Sequence, residues 1–295
     1  MDFQRVLIAL IFFLFSILIY AADIPGIAFV HGTGDHRFDA YGIYWKIDFI
    51  DSVSQGLPDP ENYYVVHCDY NKYMWDEEAG DCTANQLLKF INNKNISSLT
   101  VYTHSNGGNV LRWILSNPTF NTHYQLLKDK IKQVIALTPS SAGTPIADIA
   151  LNGNVLGSNL CWLLGFERDA IKQQRIGDMR IYNEELLFGT LGRPVLPVPF
   201  KTVVGTDVIV SPLSSASYCN GYLLNSGLKI SKLYLDKCAD GFLSCDSQKA
   251  AGEVWFYDKD KLKDSMVLNH NQSRHTCFGM DKILIEALNT EGTVK

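Results

Sequence analysis

Residues 99–108, LTVYTHSNGG, join a strand-like run to a glycine-rich turn. The apolar, partly β-branched run predicts a strand over Leu99–Thr103, and helical spacing predicts a helix over Asn109–Ser116. Between them, Ser105 stands on a tight turn, and Gly107 two positions later removes a Cβ that would clash there. Such a turn raises a hydroxyl above the strand ends, where the N-terminus of the following helix stabilises developing negative charge. We therefore predict that Ser105 is a nucleophile.

A second glycine-rich turn follows an earlier predicted strand. Ile27–Val30 is typical of a buried strand, and His31-Gly32-Thr33-Gly34 comes directly after it. A tetrahedral oxyanion needs two backbone N–H donors that are held in place. One would come from Asn106, the residue after the serine. The other would come from Thr33, because the neighbouring glycines permit the backbone path that turns its amide inward. The two turns together predict an oxyanion hole.

The composition is that of an ordinary globular protein of 295 residues. With 46% hydrophobic and 19% charged residues, extended disorder and collagen-like or coiled-coil chains are excluded. The formal net charge of −5 provides no basic excess, so no nucleic-acid partner is expected. The length favours one large domain over two small ones.

The N-terminal segment has the features of a targeting signal. Arg5 precedes an uncharged run of about 17 residues, Val6–Ala22, which ends in small residues. This pattern predicts a secretory signal peptide over 1–22, cleaved near Ala21 or Ala22, and a mature domain over 23–295. A signal anchor is the alternative, since the run reaches the lower limit for a spanning helix. We expect a secreted protein or one of the endomembrane lumen.

All seven cysteines lie in the predicted mature chain. In an oxidising compartment most of them should pair, and an odd number leaves at least one without an intramolecular partner. Cys68 with Cys82 would close a short loop, and Cys238 with Cys245 a shorter one, although the sequence leaves the connectivity open. Asn95 begins a glycosylation sequon in a polar stretch, which predicts a glycoprotein if the host is a eukaryote.

Short apolar runs alternate with helical stretches, which predicts an α/β fold with a mostly parallel sheet and helices on both faces. Further strands are predicted at Tyr63–Cys68, Lys132–Leu137 and Lys201–Gly205, and a helix at Thr83–Asn93. Residues 146–200 are apolar but contain few strand-like runs. We interpret them as a helical lid or cap insertion; two more sheet-packing helices are the alternative. The side chains expected to line it are Leu156, Leu160, Trp162, Leu163, Leu164 and Phe166.

A third motif, TPSSAGTP at residues 138–145, follows a predicted strand. With the turns at Ser105 and at His31–Gly34, it makes the chain resemble the α/β-hydrolase fold, and within that fold the secreted lipases and esterases. The resemblance covers residues 26–145 and resumes over 200–275. One departure is Thr103, which stands where the pattern G-x-S-x-G has its first glycine. The family order implies that the acid and then the histidine lie downstream of the serine.

Two aspartates and two histidines fit those downstream positions. Asp240-Gly241-Phe242-Leu243 resembles the segment on which bacterial lipases carry the acid, so Asp240 is the preferred acid. Asp207, directly after a predicted strand, is the alternative. His270 follows an asparagine, as in those lipases, and is the preferred base, with His275 as the alternative. Asn271 begins a second sequon, too near His270 to carry a glycan.

The resemblance implies a serine hydrolase that cleaves carboxylic esters through an acyl-enzyme on Ser105, without a cofactor. The calcium site of some lipases is not expected, since Asn271 and Gln272 stand where an aspartate is usual. The expected partners are a lipid or small acyl ester and, transiently, a lipid interface. The alternatives are a phospholipase or thioesterase of the same fold, and a secreted binding protein without activity.

The resemblance also suggests a use for one disulfide. Cys245 follows the acid segment, so a bridge from it to Cys238 or Cys219 would brace Asp240. Cys161 is the cysteine we expect to remain unpaired.

Overall fold

The computed structural model describes residues 23–151, 168–219, 221–257 and 267–290, and a six-stranded sheet lies at its centre. The strands are β1 (Pro25–Val30), β2 (Tyr63–Val65), β3 (Ser98–His104), β4 (Ile131–Leu137), β5 (Phe200–Val203) and β6 (Glu253–Phe256). Their spatial order is β2-β1-β3-β4-β5-β6, and all neighbouring strands run parallel. The predicted mostly parallel sheet is confirmed, and the carboxyl ends of its strands share one edge.

Helices cover the sheet, since parallel strands need crossover connections. The helices are α1 (Ile47–Ser54), α2 (Cys82–Lys94), α3 (Gly107–Ser116), α4 (Thr122–Lys128), α5 (Pro145–Leu151), α6 (Arg168–Gln173), α7 (Ile176–Glu185), α8 (Tyr222–Ser231), α9 (Cys245–Lys249) and α10 (Met280–Thr290). Two short 3₁₀ helices, Gln272–Arg274 and Thr276–Phe278, precede α10. In the described part of the chain, no helix has the length and apolar character needed to cross a membrane.

Two hydrophobic clusters lie on the two faces of the sheet, because alternate strand residues point in opposite directions. One cluster takes Ala28 and Val30 of β1, Val101 of β3, and Val134 and Ala136 of β4. The other cluster contains residues of the same strands that alternate with these, namely Ile27, Phe29, Tyr102, Ile135 and Leu137. Burial on both faces explains why these strands appear in the sequence as continuous apolar runs rather than alternating ones.

Two strands end earlier than predicted, each where a glutamine side chain replaces a neighbouring strand. Tyr63–Cys68 was predicted, but β2 ends at Val65, and the amide of Gln86 bonds both backbone groups of His67, at 2.9 and 2.7 Å. β5 likewise ends at Val203 instead of Gly205. There Gln248 accepts from the Gly205 N–H at 2.7 Å and donates to its carbonyl at 3.0 Å.

Three disulfides join six of the cysteines: Cys68–Cys82, Cys219–Cys277 and Cys238–Cys245. Two of these are the short-range pairs considered from the sequence. The bridge from Cys245 to Cys238 is confirmed, and the Cys245 N–H donates to the Cys238 carbonyl at 2.9 Å, so the loop that carries Asp240 is closed at its base. The seventh cysteine, Cys161, lies outside the described residues.

Two other predictions concern residues beyond the described ranges. The predicted signal peptide at 1–22 lies there, as do the six apolar side chains expected to line the lid. In the described parts of the predicted insertion, the chain forms α5, α6 and α7. The helical character predicted for this insertion is therefore present in its described parts.

Candidate active site

Ser105 lies on the turn between β3 and α3, at the carboxyl edge of the sheet. Its φ of 52° is in the left-handed region, which is strained for a residue with a side chain. Hydrogen bonds hold the turn: the Ser105 N–H donates to the Leu137 carbonyl at 3.0 Å, and its own carbonyl accepts from Gly108 at 3.1 Å. The predicted strand–turn–helix arrangement is therefore present, with the serine at its tightest point.

Gly107 is required because α3 begins against the end of β1. A Cβ at this position would lie 2.1 Å from the His31 carbonyl oxygen, a distance no side chain tolerates. Thr103, which replaces the usual glycine, fits without such a conflict and is fully buried. Its hydroxyl has no hydrogen-bond partner among the described residues. The departure from the usual pattern therefore leaves the turn intact.

The turn after β1 approaches Ser105 closely. A Cβ on Gly32 would lie 3.0 Å from the Ser105 Cβ and 2.5 Å from the Tyr44 hydroxyl, so only glycine fits. The backbone N–H groups of Thr33 and Asn106 donate to no acceptor within the described ranges. Gln174 fixes Thr33 by donating to its hydroxyl at 2.8 Å. Two unused donors thus flank the serine, as an oxyanion hole requires.

His270 and Asp240 form a buried pair beside this turn. The His270 Nδ1 lies 2.8 Å from an Asp240 carboxylate oxygen. The other carboxylate oxygen accepts from the N–H groups of Phe242 and Leu243, at 2.8 and 2.7 Å. The His270 N–H also donates to the Asp240 carbonyl at 2.9 Å. An ionised carboxylate here holds the proton on Nδ1, which leaves Nε2 as the free, basic nitrogen.

The alternative acid, Asp207, is engaged elsewhere. Its carboxylate lies 2.5 Å from the Lys232 ammonium and 3.5 Å from that of Lys229. The side chain is 41% exposed, and no described histidine bonds to it. The geometry therefore assigns Asp207 to a surface ion pair and brings the preferred aspartate, Asp240, to His270.

The alternative base, His275, is buried without a carboxylate partner in the described chain. Its Nε2 has no hydrogen-bond partner among those residues. Burial, with the nearby positive charges of Arg274 and Lys46, lowers the pKa of His275 to about 3. The imidazole is therefore neutral at physiological pH, and the structure does not bring it to either candidate aspartate.

Acidification is expected to destabilise the protein through its buried neutral histidines. Burial lowers the pKa of His275 to about 3 and those of His31 and His104 well below their usual value. In the unfolded chain each titrates near 6.5, so below about pH 6.5 the unfolded state binds more protons. As the pH decreases below this value, the free energy of unfolding decreases as well, by up to about 1.4 kcal/mol per pH unit for each histidine.

The measurement is urea unfolding of the wild type and of His275→Gln at several values between about pH 7.5 and 5. The variant should lose less stability over this interval, because it has one fewer proton to take up on unfolding. His123→Gln, which changes an exposed histidine, is the control and should behave as the wild type. Parallel loss in the wild type and His275→Gln would contradict the assignment.

Tyr44 and His104 connect the two halves of the site. The Tyr44 hydroxyl accepts from the Gly32 N–H at 2.7 Å and bonds to the His104 Nδ1. On its other side, the His104 Nε2 bonds the His270 carbonyl at 2.9 Å. Burial, with the neighbouring His270 ring and the charge of Arg274, lowers the pKa of His104 well below its usual value, so the ring is neutral and donates from Nε2. This network joins the Thr33 turn to the backbone of His270.

This network was not predicted from the sequence. His104 lies directly before Ser105, so the family order of serine, acid and histidine does not make it a candidate base. Tyr44 was not singled out, because it stands in an ordinary loop, 60 positions from its partner. Only the fold brings the two side chains together.

One pocket of about 270 Å³ collects the candidate side chains at the carboxyl edge of the sheet. Ser105, Thr33 and His270 all open into it. Its apolar wall is formed by Ile43, Leu224, Leu228 and Phe242, and its polar wall by His36, Tyr44, His104, Asn271 and Arg274. Asn271, the second sequon asparagine, thus faces the pocket, whereas Asn95 of the first sequon is exposed. No metal-binding cluster of three or more His, Cys, Asp or Glu residues occurs in the described ranges.

Solved structures share this fold at low sequence identity. The mature lipase BlEst2 of Bacillus licheniformis is 17% identical with a TM-score of 0.56, over 90% of this chain and 91% of that one. EstA of Clostridium botulinum is 15% identical with a TM-score of 0.56, and the match covers 92% of this chain and 88% of that one. Lipase 1 of Pelosinus fermentans is 12% identical with a TM-score of 0.58, and the match covers 91% of this chain and 99% of that one. No protein family model and no curated protein matches the sequence.

Proposed function

The chain has the α/β-hydrolase fold, and we propose that it is a serine hydrolase of carboxylic esters, a lipase or esterase. One observation carries the proposal. His270, bonded to the buried Asp240 at 2.8 Å, opens into the same pocket as the strained Ser105, beside two unused backbone donors. Nucleophile, base, acid and oxyanion donors are the parts that acyl transfer requires.

The proposed reaction uses these groups in two steps. The His270 Nε2 takes the proton of the Ser105 hydroxyl, and the oxygen attacks the ester carbonyl carbon. The carbonyl oxygen becomes negative and is stabilised by the N–H groups of Thr33 and Asn106. Of these two residues, Asn106 lies at the N-terminus of α3, whose dipole adds to the stabilisation. His270 then gives its proton to the leaving alkoxide, which forms the acyl-enzyme. Water, activated by the same imidazole, releases the acid and restores the serine.

The pocket supports an acyl ester as substrate. Its apolar wall suits a hydrocarbon chain. Ile43 on that wall is exposed, as are Phe38 and Leu223, which stand next to or near lining residues in the sequence. We propose transient contact with a lipid interface through these side chains. The disulfides support a secreted protein, since they form and persist in oxidising compartments.

Labelling with a fluorophosphonate probe tests the proposal directly. The probe reacts with serines whose oxygen is activated by a base, so we expect one covalent adduct on the peptide that contains Ser105, located by mass spectrometry. Heat-denatured protein should show no adduct, because the activating geometry is lost. Ser140 and Ser141, buried close by, serve as internal controls. An adduct on either of them would show that Ser105 is not the nucleophile, and no adduct on native protein would favour a binding protein without activity.

A further inference from the structure

Arg274 is a buried cation on the wall of the active-site pocket. Its exposed fraction is only 8%, and it ends the 3₁₀ helix that follows His270. One terminal nitrogen donates to the Tyr44 carbonyl, and the other donates to the Asn271 side-chain oxygen at 3.2 Å. The guanidinium carbon lies 4.1 Å from the centre of the Tyr44 ring. These contacts fix the guanidinium in place and use two of its five N–H donors.

The positive charge has no counter-ion in the described part of the chain. No carboxylate there lies within ion-pair distance of Arg274, and its Nε has no hydrogen-bond partner. Asp240 is occupied by His270 and two backbone amides, and Asp39 bonds to His36. None of the side chains lining the pocket is acidic. Arg274 therefore gives the pocket lining a positive charge that no lining carboxylate neutralises.

A buried, unneutralised guanidinium is costly unless something offsets its charge. Burial lowers the pKa of Arg274 from its usual value, but arginine stays protonated in proteins. The face of the Tyr44 ring and two neutral oxygens solvate the cation only partly. An anion that entered the pocket would find spare N–H donors and an unscreened charge, and would make charge-assisted hydrogen bonds with them.

We propose that Arg274 forms an anion subsite, so that the substrate is an amphiphilic ester that carries one carboxylate or phosphate group. This inference rests on the proposed function, because it names the substrate class of the same pocket. The hydrocarbon part lies against Ile43, Leu224 and Phe242, and the anionic oxygens meet the guanidinium. Arg274 acts as a specificity-determining residue and takes no part in proton transfer.

Matched pairs of esters test the subsite. The acyl-side pair is mono-p-nitrophenyl adipate and p-nitrophenyl hexanoate, which differ by a carboxylate at the chain end. The alcohol-side pair is an acylglycerol phosphate and the matching monoacylglycerol. In the wild type, kcat/KM should be at least about 10-fold higher for the anionic member of one pair. The pair that shows the preference tells whether the anion belongs to the acid or to the alcohol.

The readout is the ratio of anionic to neutral kcat/KM within each protein, which cancels any general loss of activity. Arg274→Gln should reduce this ratio about 10-fold or more, and Arg274→Lys should retain part of it, since the charge remains but the planar fork is lost. Arg180→Gln, at an exposed arginine away from this pocket, is the matched control and should leave the ratio unchanged. A ratio near one in the wild type, or one unaffected by Arg274→Gln, would overturn the proposal.

Binding to the full-length Ser105→Ala protein separates this inference from the proposed function. Calorimetric titration should show tighter binding of the anionic ester than of its neutral partner, and Arg274→Gln in the same background should remove the difference. Equal binding of both esters would overturn the subsite. If instead the proposed function is wrong, ester turnover will not depend on Ser105, whatever the result of the binding experiment.

Discussion

Replacing Ser105 with alanine is expected to reduce kcat/KM for p-nitrophenyl hexanoate by about 1,000-fold or more. Without the hydroxyl, no acyl-enzyme forms, and only the oxyanion donors of Thr33 and Asn106 remain to assist attack by water. The fold should be unaffected, because the serine hydroxyl makes no hydrogen bond within the described residues and the small side chain keeps the turn. The measurement is initial-rate kinetics, with thermal unfolding recorded on the same samples.

Ser226→Ala is the matched control for this experiment. Ser226 is a half-buried serine on α8, outside the pocket lining, whose hydroxyl bonds only its own helix, so its removal should change the rate less than about twofold. Equal turnover by the wild type and Ser105→Ala would show that the serine-hydrolase proposal is wrong. A hydrolysis step by another residue would then have to explain the activity.

Replacing Asp240 with asparagine is expected to reduce kcat by about 10,000-fold. The asparagine oxygen can still accept from the N–H groups of Phe242 and Leu243, so the loop keeps its shape. Its NH₂ group then faces the His270 Nδ1 and makes that nitrogen an acceptor. The ring proton moves to Nε2, the nitrogen that must accept the proton of Ser105. The change therefore blocks the base without disturbing the geometry.

Asp207→Asn is the comparison that decides between the two candidate acids. Asp207 pairs with Lys232 at the surface, and exposed ion pairs contribute little. Its replacement should leave kcat within about twofold of the wild type. A large loss in Asp207→Asn together with a small one in Asp240→Asn would reverse the assignment. Circular dichroism of both variants would exclude loss of fold as the cause.

The fold could be predicted where burial on both faces produces continuous apolar runs. β1, β3 and β4 lie in the middle of the sheet and were found within one or two residues of their ends. β6 was not predicted, because this edge strand has only four residues and leaves Glu253 and Val254 exposed. α10 was also not predicted. The ends of β2 and β5 were misplaced, since a glutamine side chain from a distant helix ends the pairing.

The candidate site could be predicted where its residues form local motifs. Ser105, Asn106 and Thr33 stand in glycine-rich turns whose geometry needs those residue types. The choices of Asp240 and His270 depended on a family resemblance, since an isolated Asp or His carries no local signal. The contacts of Tyr44 with His104 and of Arg274 with Tyr44 span 60 and 230 positions. Side-chain pairs at such separations have no periodicity that a single sequence could reveal.

The two glycines that border Ser105 have a consequence for how the protein can change over generations. Gly32 and Gly107 bring two turns so close that a single methyl group on either would separate them. Substitution of either glycine is therefore not tolerated, and neither turn can change independently of the other. The apolar wall is less constrained at Ile43, which is exposed, and at Leu224, which is half-buried, whereas the Phe242 ring packs 5.1 Å from the His270 ring. Substrate range can thus evolve, or be engineered by libraries at the wall, while the reaction chemistry is preserved.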